Sequence, residues 1–405
     1  MAGYALILVI AAITTAVLTP LVRRVALKVG AVAHPGPRKV HQRAVPSMGG
    51  AAMFAGFLVA MAAASQIPQF HEMFSGSSEP AGLMLAAGVM FAVGALDDMR
   101  EVSPPAKLAG QVLSASLLSI MGVSMLFFRV PFFDIVVLSP DLAPLVTVLM
   151  VVLFANAINL IDGLDGLAAG IVIIAGLAVF LYADRLFKNG FLEGSNIAPL
   201  VAVIAVGVCL GFLPFNFNPA RIIMGDAGAM FLGLLMATTT ITIGGRADYE
   251  YSGQTFFFFA PLFIPLVILG VPILDTVFSF FRRVARRTSF AAADLDHLHH
   301  RLMRLGHGPR RTVVILWAWT AILSGMALLP MYTNEGNAYV PIGVLALALL
   351  LYAFFHPGRR SAREQAAEDE VGRTGPDADA IDLGAGAEAD AVVDLATRRQ
   401  ARRQA

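Results

Sequence analysis

Eleven stretches of this chain stay apolar for the length of a bilayer crossing, and that narrows the fold before any other feature does. They run near 3–22, 49–67, 80–96, 107–128, 142–160, 167–187, 197–215, 229–244, 256–281, 312–330 and 338–355. A helix needs roughly 20 apolar residues to cross the hydrocarbon core, because it must satisfy its backbone polar groups within itself. The runs are continuous rather than alternating, which argues against a β-barrel. At 57% hydrophobic and 14% charged residues, an ordinary soluble domain is excluded. The expected fold is all-α, a polytopic integral membrane protein of about 11 transmembrane helices. The first run has no basic stretch before it and no small-residue cleavage site, so it reads as a retained span rather than a signal peptide. The lone Cys209 lies inside a span, where packing is its expected role.

Lysine and arginine orient the spans. With the N-terminus outside, of the 29 basic residues only Arg129, Arg185, Lys188 and Arg246 fall outside. An odd number of spans then leaves the C-terminus in the cytoplasm. Two regions follow: a transmembrane domain over 1–356 and a cytoplasmic tail over 357–405. The tail is rich in Ala, Gly, Asp and Glu, carries no long apolar run, and reads as mostly disordered.

The same orientation puts the acids Asp97, Asp98, Glu101, Asp162, Asp165, Asp226, Asp294 and Asp296 on one membrane face. Carboxylates gathered there from distant parts of an apolar chain suggest a metal site acting on a charged substrate. Asp97 and Asp98 are adjacent at a helix end, where like charges raise proton affinity unless a cation is near. Lys107 and Gln111 are four apart, so both can face one way from the start of the fourth span. Asn156, Asn159, Asp162 and Asp165 recur every three residues, with Gly163 and Gly166 able to open the helix. Asparagines inside an apolar span are costly unless they bond to something, which favours a site over packing. Asp226 is flanked by glycines at the start of the eighth span and suits either a divalent ion or a helix cap.

Two basic loops complete the face. One runs from Pro35 to Gly50 with Arg38, Lys39 and Arg43, and is either a phosphate-binding strap or an anchor for lipid head groups. The other holds Asp294, Asp296, His297, His299, His300 and Arg301. Three histidines suggest zinc, but no cysteine accompanies them, and Arg301 and Arg304 oppose a nearby cation. Anion binding by imidazole and guanidinium donors fits better, with a basic amphipathic surface helix as the plain alternative.

Taken in order, these segments resemble the polyprenyl-phosphate N-acetylhexosamine-1-phosphate transferase family, over about residues 1–330. The histidine loop and the eleven spans look like its WecA/TagO branch, which transfers GlcNAc-1-phosphate from UDP-GlcNAc to undecaprenyl phosphate. The resemblance implies a site at the cytoplasmic face of a bacterial inner membrane, with Mg²⁺, or Mn²⁺ in its place, as cofactor. It implies Asp226 and Asn159 as metal ligands, and Asp97, Asp98 and Lys107 as catalytic residues. It also implies substrate contacts from Asn156, Asp162, Asp165, Asn216, His297, His299, His300 and Arg301. The partners implied are a UDP-N-acetylhexosamine, a polyprenyl phosphate, the membrane and a second copy of the chain in a homodimer, with no nucleic acid. Two departures stand out: Ile223 where relatives carry Phe, and Ala229 where they often carry Ser. Direct attack by the lipid phosphate and a two-step route through an aspartyl-phosphate are both open mechanisms. A transporter or flippase is the rival from another class, but it needs midplane charges and matched halves, and no paired halves are visible.

Overall fold

The computed structural model describes residues 1–33, 44–100, 102–129, 135–244, 305–333 and 339–355, with scattered positions between 269 and 303. The main helices are α1 (Ala2–Val29), α2 (Gly49–Ala64), α3 (His71–Ser75), α4 (Glu79–Met99), α5 (Pro104–Ile120), α6 (Leu142–Ile161), α7 (Leu167–Lys188), α8 (Ala198–Asn216), α9 (Gly225–Gly244), α10 (Pro309–Thr333) and α11 (Tyr339–Phe355). Among the described residues, 7 helices are long and apolar enough to cross a membrane. An eighth crossing arises if α2 and the segment Pro68–Ser75, bent by 93° between them, count as one span. The shorter α5 and α11 stand where two further spans are expected; the expected ninth, 256–281, falls mostly outside the described residues.

The described residues are mostly helical, as expected, with two short ribbons beside the helices: β1 (Val32–Ala33) pairs antiparallel with β2 (Val45–Pro46), and β3 (Phe127–Arg129) with β4 (Ile135–Val137). Two spans differ from expectation. The span expected over 107–128 begins earlier, at Pro104, and ends at Ile120. Proline at the first helical position is tolerated because its missing N–H would have had no partner there. The second span, expected to reach residue 67, stops at Ala64 and turns into the 68–75 segment.

α9 is the axis of the bundle. Every residue of its apolar window is buried, against 22% for α1, which keeps one face outward. α9 packs on α2, α4, α6, α7 and α8, while α1 lies against α2 and α8, and α10 against α7 and α11. Lipid tails are as apolar as leucine, so helices associate there through close packing of small residues. Gly94 of α4 lies against the backbone of Ala227, Gly50 of α2 against Gly228, and Gly233 of α9 against the backbone of Ala155.

Alternating helix directions bring the end of α4, the start of α5, the end of α6, the start of α7, the end of α8 and the starts of α9 and α10 to one end of the bundle. Asp97, Asp98, Asp162, Asp165 and Asp226 all lie there. They are less loop-bound than expected: Asp97 and Asp98 occupy the last turn of α4, and Asp226 the first turn of α9. The opposite end holds the β3–β4 ribbon, the 68–75 bend and an ion pair in which the exposed Lys188 Nζ meets Asp184 at 2.6 Å.

Candidate active site

The first turn of α9 starts at Gly225, whose φ of 72° is left-handed and suits glycine. The absent Cβ matters as much, because one there would collide with the carboxylate of Asp98. Asp98 Oδ1 accepts the backbone N–H of Asp226 (2.9 Å), and its Oδ2 accepts that of Ala227 (3.1 Å). Ser47 Oγ donates to Asp98 Oδ1 at 3.2 Å. Residues 46–50 are held at the same place: Ile223 N donates to Pro46 O (3.0 Å), Gly49 N to Ile223 O (3.0 Å) and Gly50 N to Met224 O (2.9 Å).

Lys107, near the start of α5, joins the two acids that matter most. Its ammonium donates to Asp97 Oδ2 at 2.9 Å and to Asp226 Oδ2. Asp97 Oδ1 accepts from Val102 N at 2.8 Å, which ties the α4–α5 turn to the same carboxylate. Lys107 and Asp97 side chains are each 17% exposed, so water screens this pair only in part. Asp162 caps the end of α6. Its burial, then the carboxylates of Asp226, Asp98 and Asp165, push its proton affinity well above the usual carboxylate range. Five carboxylates thus share one end of the bundle, and among the described residues one ammonium, that of Lys107, stands between two of them, an arrangement that a cation would further offset.

Asn159 bears directly on whether a metal fits. With its amide turned one way, Nδ2 donates to Asp226 Oδ1 (3.2 Å) and Oδ1 accepts from Lys107 Nζ (3.3 Å). Turned the other way, the amide oxygen faces Asp226 Oδ1 and Nδ2 faces the Lys107 ammonium, so the chain's own groups are satisfied only in the first orientation. Neighbouring ligands of an octahedral Mg²⁺ stand about 3 Å apart, since each lies ~2.1 Å from the ion. Asn159 and Asp226 face each other at 3.2 Å, a separation that two oxygen ligands of one Mg²⁺ could share once the amide oxygen turned toward the ion. Among the described residues no three His, Cys, Asp or Glu side chains form a ready cage. That agrees with an ion that takes one or two carboxylates and completes its shell with water and substrate phosphate.

Behind this layer runs a second one. Gln111, one turn deeper in α5 than Lys107, is buried, and the two share a face as their spacing requires. Asn156 Nδ2 donates to Gln111 Oε1 (2.8 Å) and to Val152 O (2.8 Å), and Gln111 Nε2 reaches Met230 Sδ (3.0 Å). The amide of Asn156 is thus engaged inside the fold. Asp165 is buried too, and its Oδ2 accepts from Asn218 Nδ2 (3.0 Å) and Ala220 N (2.9 Å). Asn216 bridges Gly166 N (3.0 Å) and Ile222 O (3.1 Å).

Asp165 and Asn216 thereby shape the 217–224 turn that leads into Asp226. That turn contains a cis Asn218–Pro219 bond and is also held from outside, by Arg310 Nε on Asn218 O (3.1 Å) and Arg23 Nε on Arg221 O (3.0 Å). Ser47, Arg23 and Arg310 are the participants that motif reading leaves out. For Ser47 a signal existed: it stands directly before Met48-Gly49-Gly50, where Met48 adopts a left-handed φ of 76° that a non-glycine residue seldom takes. Arg38, Lys39 and Arg43 of the first basic loop, and Glu101, Asp294, Asp296, His297, His299, His300, Arg301 and Arg304, lie outside the described residues.

Comparison with known proteins bears on this arrangement. The family model described as glycosyl transferase family 4 matches residues 80–244, the segment from α4 through α9. A decaprenyl-phosphate N-acetylglucosaminephosphotransferase of Mycolicibacterium smegmatis is 34% identical over 371 residues, 89% of this chain and 91% of its own. A probable undecaprenyl-phosphate N-acetylglucosaminyl 1-phosphate transferase of Bacillus subtilis is 35% identical over 321 residues, 79% of this chain and 83% of its own. An undecaprenyl-phosphate alpha-N-acetylglucosaminyl 1-phosphate transferase of Escherichia coli (strain K12) is 28% identical over 339 residues, covering 82% and 85%.

Proposed function

This chain belongs to glycosyl transferase family 4, and on that premise we propose that it transfers N-acetylglucosamine-1-phosphate from UDP-GlcNAc to a polyprenyl phosphate in a bacterial inner membrane. The observation that carries the reading is Lys107, held between Asp97 and Asp226 at one end of a membrane bundle with Asn159 beside them. A charged nucleotide can reach that end from water, and a lipid phosphate can reach it along the membrane surface. An oxygen of the lipid phosphate attacks the sugar-linked phosphorus of UDP-GlcNAc. The bond to the bridging oxygen breaks, UMP leaves with that oxygen, and the lipid-linked sugar diphosphate remains.

Asp226 and Asn159 would hold Mg²⁺, which when bound spreads the charge that develops on the diphosphate oxygens. The rest is done by the chain's own groups. Lys107 supplies a fixed ammonium toward the phosphates, already aimed by two carboxylates, so little reorganisation is needed as charge shifts. In this reading Asp97, on the other side of that ammonium, accepts the proton of the lipid phosphate. Asp162 lines the nucleotide side. Asp165 and Asn216 contribute by keeping the 217–224 turn in shape. Transport is not favoured, because the polar groups converge at one end of the bundle rather than at its middle.

Purified protein in nanodiscs, given Mg²⁺, undecaprenyl phosphate and a panel of UDP-sugars, tests this directly. The expected result is UMP and a glycolipid with UDP-GlcNAc, abolished by chelator. No turnover with any UDP-N-acetylhexosamine overturns the reading.

A further inference from the structure

Asp97 and Asp98 are consecutive in sequence but engaged quite differently. Successive helical residues point about 100° apart, so two neighbours cannot present their carboxylates to the same ligand in the same way. Asp97 turns to Lys107. Asp98 turns inward, onto the first turn of α9. The first amides of any helix lack partners within the helix, and an oxygen acceptor there, negative above all, is favoured by unpaired N–H groups and helix dipole together.

Such a cap normally comes from the residue just before the helix. Here that stretch is Met224-Gly225, neither of which has a side-chain oxygen. The oxygens arrive instead from another helix: Asp98 reaches from the end of α4 to Asp226 N and Ala227 N, and Ser47 adds a third donor to the same carboxylate. The contact is exclusive in its geometry, because a side chain at Gly225 would displace it.

We propose that Asp98 is a positioning residue that caps α9 from α4, and so fixes the height and direction from which Asp226 meets the metal and Lys107. It is not the group that takes the proton of the lipid phosphate. Its two oxygens accept from the start of α9 and from Ser47, whereas those of Asp97 accept from Val102 N and from Lys107, the ammonium that the transferase reading aims at the phosphates. This deepens the transferase reading and rests on it.

The test uses the full chain in nanodiscs, with Asp98→Asn, Asp98→Ala and Asp97→Asn compared. Three readouts are followed: hydrogen exchange of the peptide carrying Asp226 and Ala227, Mn²⁺ binding by electron paramagnetic resonance, and kcat and KM for UMP release across a metal titration. Asp98→Ala should speed exchange at the start of α9 and weaken Mn²⁺ binding, each about fivefold, the scale of one lost cap of ~1 kcal/mol. Asp98→Asn keeps a carbonyl acceptor, itself a good cap, so it should fall between, with most of kcat restored by excess metal. Asp97→Asn should leave exchange unchanged and lose kcat that metal does not restore.

Asp98→Asn losing more than 100-fold in kcat, with exchange and Mn²⁺ binding unaltered, would overturn the proposal. So would exchange indifferent to Asp98→Ala. Should the alanine variant fail to fold, the asparagine variant carries the same decision. If the unmutated protein turns over no UDP-sugar, the transferase reading fails, while exchange and metal binding still judge the cap.

Discussion

At the scale of single residues the site is a set of unequal partners around one ammonium. Lys107 meets Asp97 and Asp226 at once, and without it these carboxylates would face each other with nothing between. Replacing Lys107 by Met should lower kcat by roughly 10²–10³-fold, the usual cost of removing one preorganised electrostatic group. Lys107→Arg should recover little, because a planar guanidinium cannot occupy a point shared by two carboxylates from different helices. A Lys107→Met enzyme within tenfold of wild type in kcat at saturating metal would contradict this. Much at this scale was legible in the order of residues. Asp97, Asp98, Lys107, Asn159, Asp162 and Asp226 stand out as polar positions in an apolar chain, and charge is too costly in a bilayer to be placed idly. Their division of labour was not legible. Asp97 and Asp98 are equivalent as letters, and Asp162 and Asp165 differ only in spacing. One acid of the first pair caps a helix, and Asp165 holds the 218–220 turn.

At the scale of elements, α9 depends on backbone approach. A Cβ on Gly233 would stand 2.6 Å from Phe154 O and 2.8 Å from Ala155 N, both backbone atoms that cannot swing aside. Gly233→Val should therefore force α6 and α9 apart, and cost at least the 1–3 kcal/mol typical of overpacking. Gly88 is a control in α4, because its Cβ would meet only the ring of Phe54, at 3.9 Å. Gly88→Ala should be neutral, or stabilising by a few tenths of a kcal/mol to about 1 kcal/mol through helix propensity. Thermal unfolding in detergent checks the pair: a large drop in Tm for the first and none for the second. Equal Tm values would mean that the close approach does not hold the bundle together. The periodicity of the sequence could not announce this. A glycine in an apolar run looks the same whether it admits a neighbouring backbone or merely lowers helix propensity, and only the crossing of α9 with α6 tells Gly233 from Gly88.

At the scale of the whole molecule, the bundle has one chemical end and one plain end. The positive-inside asymmetry predicts that the chemical end faces the cytoplasm, while Asp184, Arg185 and Lys188 mark the other end. A single cysteine at Lys188 should react with an impermeant maleimide added to intact spheroplasts, and one at the exposed Arg100 only after permeabilisation. Cys209 is buried and should contribute little background. The reverse pattern would invert the orientation. The class of fold, the approximate spans and the face on which the polar residues gather were set by the sequence alone. The reason is that a bilayer leaves few choices: backbone groups must pair within each helix, and charges must leave the hydrocarbon. The tertiary structure alone decided that α9 is the axis, that Asp226 starts it under a cap lent by α4, and that Asn216, Asp165, Arg23 and Arg310 together shape the turn before it. Those contacts join residues 50 to 198 positions apart, and no periodicity carries such separations; only the packing of one helix end against another does.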